Sequence, residues 1–467
     1  MIGFRTLHGG LAAALAAFTL SGCALLETDY ARPQLTLPAA YAGAEAKAAP
    51  LAGDWWKEFG DADLDALVAD ALARNNDLTV AVERLTQARL KAALAQGDLY
   101  PSLTASGDLA RKRTLSDPRK TTRSAEVSAA LSFDPDPWGA LSHTRDAADL
   151  EAQASALDLA DTAQGVAATT AQLYWKLVYL RQRVALSADS IAYAQRTLDL
   201  TRAKYAAGAV SSLDVLQAEQ SLRTQEAADT TYRQSLTETA NALAILFDAP
   251  PAAAAVPRQT LPAADPPPVA PGLPAQVLER RADIRAAEAR LAETLAETDA
   301  TRAGFLPAFT LTGTLGGSSV ALTDVLRNPV GSLGAGLVLP FLNWREMNRT
   351  IKVSESEYRA AVADFRQTLY AALADVENAL SSRVQLALQG ERLARALATA
   401  QEAERLYEVR YRAGAVGLQD WLDVQEKRRT AEESLLANRY DRLVNRITLY
   451  RALGGSATLP PARLAAE

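Results

Sequence analysis

Apolar residues recur at every second position in four short stretches of the chain, with Ser, Thr and other small or polar residues between them. These stretches are 103–109, 127–133, 309–315 and 333–339. A period of two places all apolar side chains on one face of a β-strand. The pattern therefore predicts two β-hairpins, with strands at about 102–134 and about 308–340.

A long segment without proline follows each hairpin. No proline occurs between Pro137 and Pro250, or between Pro340 and Pro460. Since proline breaks a helix ladder, each segment is predicted to be helical, interrupted once, at Gly208 or at Gly414. The longest helix would span roughly 100 Å at about 1.5 Å per residue. Apolar residues at three- and four-residue steps indicate a coiled coil, and they are Leu369, Leu373, Val376, Leu380 and Val384. A generic coiled-coil rod would show the same helical pattern.

The two halves of the chain are related by a constant offset of 206 residues. The offset pairs, among others, Asp77 with Asp283, Pro101 with Pro307, Trp138 with Trp344, and Tyr205-Ala-Ala-Gly-Ala-Val210 with Tyr411-Arg-Ala-Gly-Ala-Val416. A gap-free repeat of this kind indicates a duplication. The predicted repeats are 75–247 and 281–453, each with a helix, two strands, a long helix and a further helix.

The amino terminus has the pattern of an export signal. Residues 1–22 combine a basic residue, a short apolar run and small residues, which is typical of a signal peptide. The run Leu20-Ser-Gly-Cys23 resembles a bacterial lipobox, so Cys23 is the predicted lipidation site. Ala24 after it favours the outer membrane by lipoprotein sorting rules. Three other regions complete the predicted organisation: a lipid-anchored extended N-terminal segment and equatorial region at 23–74, a Pro-rich linker and equatorial segment at 248–280, and a C-terminal tail at 454–467.

Composition narrows the possible functions. The net charge is −6, which argues against a nucleic-acid partner because such partners need a clustered basic surface. The chain has one Cys and two His, and we find no metal-ligand spacing, phosphate loop or paired His–carboxylate motif in the sequence. We therefore predict no catalytic residues, no metal and no cofactor.

The strand segments are decisive for the fold class. Each is about ten residues long with one apolar face, the pattern of a transmembrane outer-membrane strand. Hairpins packed on a soluble domain would be an alternative. Four strands cannot close a barrel, and open edges are not tolerated in lipid. Three copies would supply twelve strands, so we predict a homotrimer.

Several motifs together resemble the TolC-like outer membrane factor family, in its lipoprotein branch (NodT-type efflux lipoproteins). They are the stretch 272–288, Asp54-Trp55-Trp56, the Ala-Gly-Ala-Val turns and Tyr450-Arg-Ala-Leu-Gly-Gly455. Ala282 departs from the family, which usually has proline there. The resemblance implies an α+β membrane protein, with a trimeric twelve-stranded β-barrel continued by a long α-helical periplasmic barrel. It also implies a periplasmic adaptor and an inner-membrane transporter as partners.

The resemblance assigns a pore gate to the second turn. Asp423 matches the family aspartate at the constriction, with Gln419, Asp420 and Glu426 around it. Three carboxylates around an axis would favour cations. Glu426 stands where the family often has a basic residue. Asp420, like Asp214 in the first repeat, has helix capping as an alternative role.

Small residues in both turns are the predicted adaptor-docking surface. These residues are Gly208, Ala209, Val210, Gly414, Ala415 and Val416. Turn geometry alone is the alternative reason for the glycines. The predicted function is a passive exit duct for small toxic compounds, driven by an RND or ABC transporter. The alternatives are the channel of an ABC-driven protein secretion system and a periplasmic coiled-coil adaptor or scaffold.

Overall fold

The computed structural model describes residues 28–41, 53–115, 117, 120–251, 258–263, 269, 272, 274–327, 329–460 and 463. The predicted signal peptide and Cys23 lie outside the described residues, as does part of the Pro-rich linker. The described helices are α1 (Ala62–Arg74), α2 (Asn76–Gly97), α3 (Ala140–Ala206), α4 (Ser212–Ile245), α5 (Pro274–Arg280), α6 (Ala282–Gly304), α7 (Trp344–Arg412) and α8 (Leu418–Ala452). Within these residues, no helix carries an apolar run long enough to cross a membrane.

Four strands form one antiparallel sheet in the order β1-β2-β3-β4. Their bounds are β1 (Ser102–Arg113), β2 (Thr121–Phe133), β3 (Ala308–Ser319) and β4 (Val330–Val338). The register runs through each pairing without a slip: Leu103 lies opposite Leu131, Leu131 opposite Gly313, and Gly313 opposite Leu333. Odd-numbered strand residues therefore share one face of the whole sheet.

We call the odd-numbered side the apolar face and the other side the polar face. Exposed large side chains of the apolar face are Leu103, Leu109, Val127, Leu131, Phe309, Leu311, Leu315, Leu333 and Leu337. On the polar face, hydroxyls face each other across strands, as in the 2.9 Å contact between the Ser106 and Ser128 Oγ atoms. The alternation predicted from the sequence is present in the structure, and pairing in the first hairpin continues to Arg113 and Thr121.

Two short helices lie in regions that the sequence analysis assigned to an extended segment and a linker. In α1, Leu64, Val68 and Leu72 are buried at helical spacing. Asp61 Oδ1 caps this helix by accepting from the Asp63 and Leu64 N–H groups, both at 3.1 Å. The other helix is α5, which begins at Pro274, a position where the missing N–H costs nothing.

By contacts the chain divides into two compact units. The first contains the described residues within 28–35, 84–156 and 286–368, and thus the whole sheet. In this unit Trp138 Nε1 donates to the Pro307 carbonyl at 2.8 Å, so Trp138 packs at the corner between strand and helix. Trp344, its equivalent in the second repeat, is 59% exposed.

The N-terminal residues 28–32 of the same unit lie along α6. Arg32 binds Glu288 through two 2.6 Å hydrogen bonds, from Nε and Nη2. Thr28 donates to Asp299 from its N–H and its hydroxyl, both at 2.9 Å. These bonds position the chain a few residues after the predicted lipidation site.

The second unit contains residues 36–83, 157–285 and 369–467. Its aromatic core includes Trp55, which stacks on Tyr450 with ring centroids 5.1 Å apart. Leu369, Val376 and Leu380 are fully buried, as the coiled-coil pattern predicts, whereas Val384 is 42% exposed.

The duplication is visible in individual hydrogen bonds of this unit. Asn75 Nδ2 donates to the Leu246 carbonyl at 3.3 Å. Arg281 Nη1 donates to the Ala452 carbonyl at 3.4 Å. Both residues of the second pair lie 206 positions after those of the first. Each repeat thus ties the start of its first helix to the end of its last helix.

Candidate functional site

The two turns at 206–212 and 412–418 have the same backbone geometry. Gly208 and Gly414 adopt left-handed φ angles of 72° and 76°. The Ala209 N–H donates to the Lys204 carbonyl at 2.9 Å, and the Ala415 N–H to the Arg410 carbonyl at 2.8 Å. This is the hydrogen bonding of a Schellman motif, in which glycine avoids the strain of a left-handed residue. The glycines therefore have a geometric role here, and the small residues after them remain exposed or half-buried.

Capping carboxylates follow both turns. Asp214 Oδ2 accepts from the Ser211 N–H at 2.8 Å and from the Ser211 hydroxyl at 2.6 Å. These hydrogen bonds lower the pKa of Asp214 below its usual value. Asp420 Oδ2 accepts from the Gly417 N–H at 3.3 Å. Asp420 thus serves the start of α8, which is the alternative role that the sequence analysis named.

Asp423 and Glu426 lie on the exposed side of α8. Gln419 Nε2 donates to Asp423 Oδ1 at 2.7 Å, one helical turn away. Glu426 pairs with Arg429 and accepts from the Thr430 hydroxyl at 3.3 Å. Of the predicted gate residues, Gln419 and Asp423 are therefore in contact, whereas Glu426 is engaged with residues further along α8.

A buried aromatic cluster that the sequence analysis missed underlies these residues. Tyr411 stacks on Trp421 with centroids 4.9 Å apart, and both side chains are 2% exposed. Lys204 Nζ donates to the Tyr411 carbonyl at 2.6 Å and lies 4.0 Å from the centre of its ring. The Thr201 and Tyr411 hydroxyls are 3.3 Å apart. The cluster links the end of α3 to the end of α7.

The equivalent tyrosine of the first repeat has a different environment. Tyr205 is 51% exposed, although it occupies the same position before its turn as Tyr411. Leu213 and Leu216, just beyond this turn, are also more than half exposed. The duplication therefore preserves the backbone of the turn and not its packing. The repeated tyrosine itself was the available sequence signal for this site.

A cleft of about 400 Å³ lies within the same unit, further from the turns. Tyr193, Glu404 and Arg428 are among its lining residues. Arg428 contacts Glu404 and Glu432, each at 2.6 Å. Burial raises the pKa of Glu404 and outweighs the opposite effect of Arg428 and of the Tyr193 hydroxyl. Arg428, Glu404 and Glu432 are thus paired with each other.

Among the described residues no group of three or more His, Cys, Asp or Glu side chains is arranged to hold a metal ion.

Comparison with known proteins gives a consistent result. The family model for outer membrane efflux proteins matches residues 67–247 and again 273–455. The chain is 30% identical over 413 residues to the pyoverdine export outer membrane protein OpmQ of Pseudomonas putida, covering 86% of this chain and 87% of that protein. It is also 30% identical over 462 residues to the outer membrane protein OprJ of Pseudomonas aeruginosa, covering 96% and 95%.

Among solved structures, the open-state MtrE outer membrane channel of Neisseria gonorrhoeae matches with a TM-score of 0.77 and 27% identity. The match covers 92% of this chain and 97% of that chain. Two successive family matches on one chain agree with the duplication. The fold class predicted from the sequence is confirmed by these matches together with the helices and the sheet.

Proposed function

The chain belongs to the outer membrane efflux protein family, and on this premise we propose that it is the outer-membrane duct through which an efflux pump discharges its cargo. The observation that carries the proposal is the apolar face of the four-stranded sheet. Large aliphatic side chains are exposed there on every strand, and Leu333 is 94% exposed. In water such a surface would be unfavourable by roughly 25 cal/mol per Å², whereas in the membrane it meets acyl chains.

Four strands leave two open edges, and the hydrocarbon region of a bilayer does not tolerate unpaired backbone groups. β1 and β4 are the edge strands of this sheet. In our proposal three copies join edge to edge into a barrel of twelve strands, which leaves no edge unpaired. The polar face, with its hydroxyl ladders, then lines a wetted lumen.

The long helices of the three copies would continue this lumen into the periplasm. We propose that a periplasmic adaptor docks on the small residues of the turns, which are exposed or half-buried. Its contact residues are Gly208, Ala209, Val210, Gly414, Ala415 and Val416. An inner-membrane transporter of the RND or the ABC class would supply the energy. The duct itself needs no catalytic step.

The cargo in this proposal is a small toxic compound. The names of several relatives favour this class, since the Pseudomonas putida relatives include a toluene and an antibiotic efflux pump outer membrane protein, each 28% identical over 462 residues. The protein-secretion alternative draws on one relative, the toxin and drug export protein A of Aggregatibacter actinomycetemcomitans, which is 27% identical over 446 residues.

We propose that the gate lies at Asp423, which is exposed on α8 and accepts a hydrogen bond from Gln419. In a trimer reconstituted in planar bilayers, Asp423→Ala should raise conductance or lower the preference for cations, because three carboxylates leave the pore axis. Single-channel currents with asymmetric KCl measure both quantities.

Glu238→Ala is the matched control. Glu238 on α4 is exposed and accepts from Gln234 four residues before it, at 3.0 Å, as Asp423 accepts from Gln419. It lies far along the chain from either turn. Unchanged currents in Asp423→Ala, or equal changes in both variants, would remove Asp423 from the gate.

A further inference from the structure

Three arginines lie at the end of the first hairpin, on the apolar face. Arg111 and Arg113 continue the odd-numbered row of β1 beyond Leu109, and Arg123 continues the row of β2. The register places Arg111 directly opposite Arg123. We call these three residues the arginine cluster.

The arginine cluster brings like charges close together. Directly opposed residues of an antiparallel pair have Cβ atoms about 5 Å apart, and Arg113 is the diagonal neighbour of Arg123 at about 7–8 Å. All three side chains are exposed. Among the described residues no carboxylate forms an ion pair with any of them. Like charges so placed are destabilising, unless an anion from outside the chain lies between them.

Charge on this hairpin is sorted by face. Its two strand carboxylates, Asp108 and Glu126, lie opposite each other on the polar face. Lys112 is also on the polar face, because it is an even-numbered residue of β1. On the apolar face, the charged side chains of β1 and β2 are all arginines. A surface that is apolar over its length and cationic at one end is chemically complementary to an anionic lipid, with its acyl chains and its charged headgroup.

The distance along the strand puts the arginine cluster at the edge of a membrane. From Ser102 to Arg111 the chain rises about 30 Å at roughly 3.3 Å per residue. With a tilt of about 40° this is a height of about 23 Å, and the apolar band of such barrels is about 25 Å tall. Exposed aromatic residues, Tyr100 and Trp344, lie near the other end of the sheet, where aromatic girdles occur.

We propose that Arg111, Arg113 and Arg123 bind a phosphate-bearing lipid headgroup at the outer surface of the membrane. The guanidinium fork matches phosphate oxygens bidentately. The acyl chains of the lipid lie below, against the exposed side chains of Leu109 and Val127. This inference rests on the proposed function, since it requires the apolar face to meet lipid.

Binding of lipid A to the full-length trimer tests the inference. Lipid A is presented to the purified protein in phosphatidylcholine nanodiscs or in a non-ionic detergent, and retained lipid is counted by native mass spectrometry. Arg111→Gln/Arg123→Gln should weaken retention about tenfold or more, because two guanidinium groups that bind the phosphate are lost. Retention by the natural sequence should fall with added NaCl.

Lys112→Gln/Lys120→Gln is the matched control. It removes two positive charges from the same hairpin end, one on the polar face and one in the loop that follows β1. Its lipid A retention should stay within about twofold of the natural protein, because neither residue belongs to the arginine cluster. Equal losses in both double variants would overturn the inference, as would unchanged retention in the arginine variant.

Pore formation in planar bilayers separates this inference from the proposed function. Pores of normal conductance in both double variants show that the trimer has assembled. If pores form and the arginine variant still retains lipid A normally, the proposed lipid site is wrong and the proposed function is unaffected. If the natural protein forms no pore, both the proposed function and the proposed lipid site are contradicted. Displacement of lipid A by millimolar inorganic phosphate would indicate a free-anion site and would also overturn the lipid assignment.

Discussion

Glu293 on α6 is an acid that the fold makes hard to ionise. Burial, then the nearby charges of Glu151 and Glu297, raise its pKa to about 7, against the opposing effect of Arg290. The folded state therefore holds this proton more tightly than the unfolded chain does. The contribution of Glu293 to the free energy of unfolding is fully present below its unfolded pKa of about 4.5. This contribution falls as the pH rises towards 7 and stays constant at higher pH.

Replacing Glu293 by Gln should remove this loss of stability. Because Glu293 is only half-buried, we expect a gain on the order of 1 kcal/mol at pH 8 and little change at pH 4.5. The measurement is the denaturant midpoint of the detergent-solubilised protein at both pH values.

Glu83→Gln, which removes an exposed carboxylate from α2, serves as control and should shift neither midpoint. A Glu293→Gln variant with the same pH dependence as the natural protein would contradict the assignment of this proton.

The two repeats share one residue with a left-handed backbone conformation, but different amino acids occupy it. Asp248 and Gly454 occupy equivalent positions, and their φ angles are 51° and 78°. A Cβ atom at Gly454 would lie 2.9 Å from the Arg280 carbonyl carbon, so only glycine is accommodated there. Asp248 tolerates the same backbone and its carboxylate accepts from Asn76 at 2.7 Å. The duplicated turn is thus retained with different side chains.

At the scale of elements, the link between α3 and α7 is the feature that the duplication does not explain. The Lys204 ammonium contacts both the carbonyl and the ring of Tyr411. A charge-assisted hydrogen bond and a cation–π contact, both partly buried, each contribute roughly 1–2 kcal/mol. This link should protect the turn between α7 and α8 from local opening.

Lys204→Met tests the link by hydrogen exchange. The Gly414 and Ala415 amides should exchange on the order of tenfold faster, because the carbonyl that holds the end of α7 loses its donor. The Gly208 and Ala209 amides should change less.

Lys176→Met, an exposed lysine of α3, is the control and should leave all four amides unchanged. If Lys204→Met leaves Gly414 and Ala415 as protected as before, the link does not stabilise the turn.

At the scale of the whole molecule, attachment to the membrane has two proposed components, the apolar face and the acylated N-terminus. Cys23 is the only cysteine of the chain, so a thiol-linked lipid has no other site. Cys23→Ser should abolish incorporation of radiolabelled palmitate and leave the leader uncleaved, with a correspondingly larger mass. Each lost acyl CH₂ removes about 0.8 kcal/mol of membrane affinity.

Ala24→Ser, one residue further on, should keep both the label and the processed mass. Label that persists in the Cys23→Ser chain would refute the lipidation site. We expect the Cys23→Ser protein still to sediment with membranes, because the apolar face of the sheet remains.

The sequence by itself determined the four strands, the long helices and their order. Alternation marked all four strands, the absence of proline marked α3, α4, α7 and α8, and the offset of 206 revealed the duplication. These properties depend on residues close together in the chain, where sterics and periodicity act locally. The residues of the proposed gate and docking turns came from resemblance and stay proposals.

Only the tertiary structure decided which of two equivalent residues is buried. Tyr411 lies under Trp421 while Tyr205 is exposed, and Val384 leaves the buried row that Leu380 still joins. Strand register decided that Arg111 faces Arg123, and packing decided that Glu293 meets two carboxylates. These outcomes follow from how whole elements pack and pair, which the local sequence pattern does not specify.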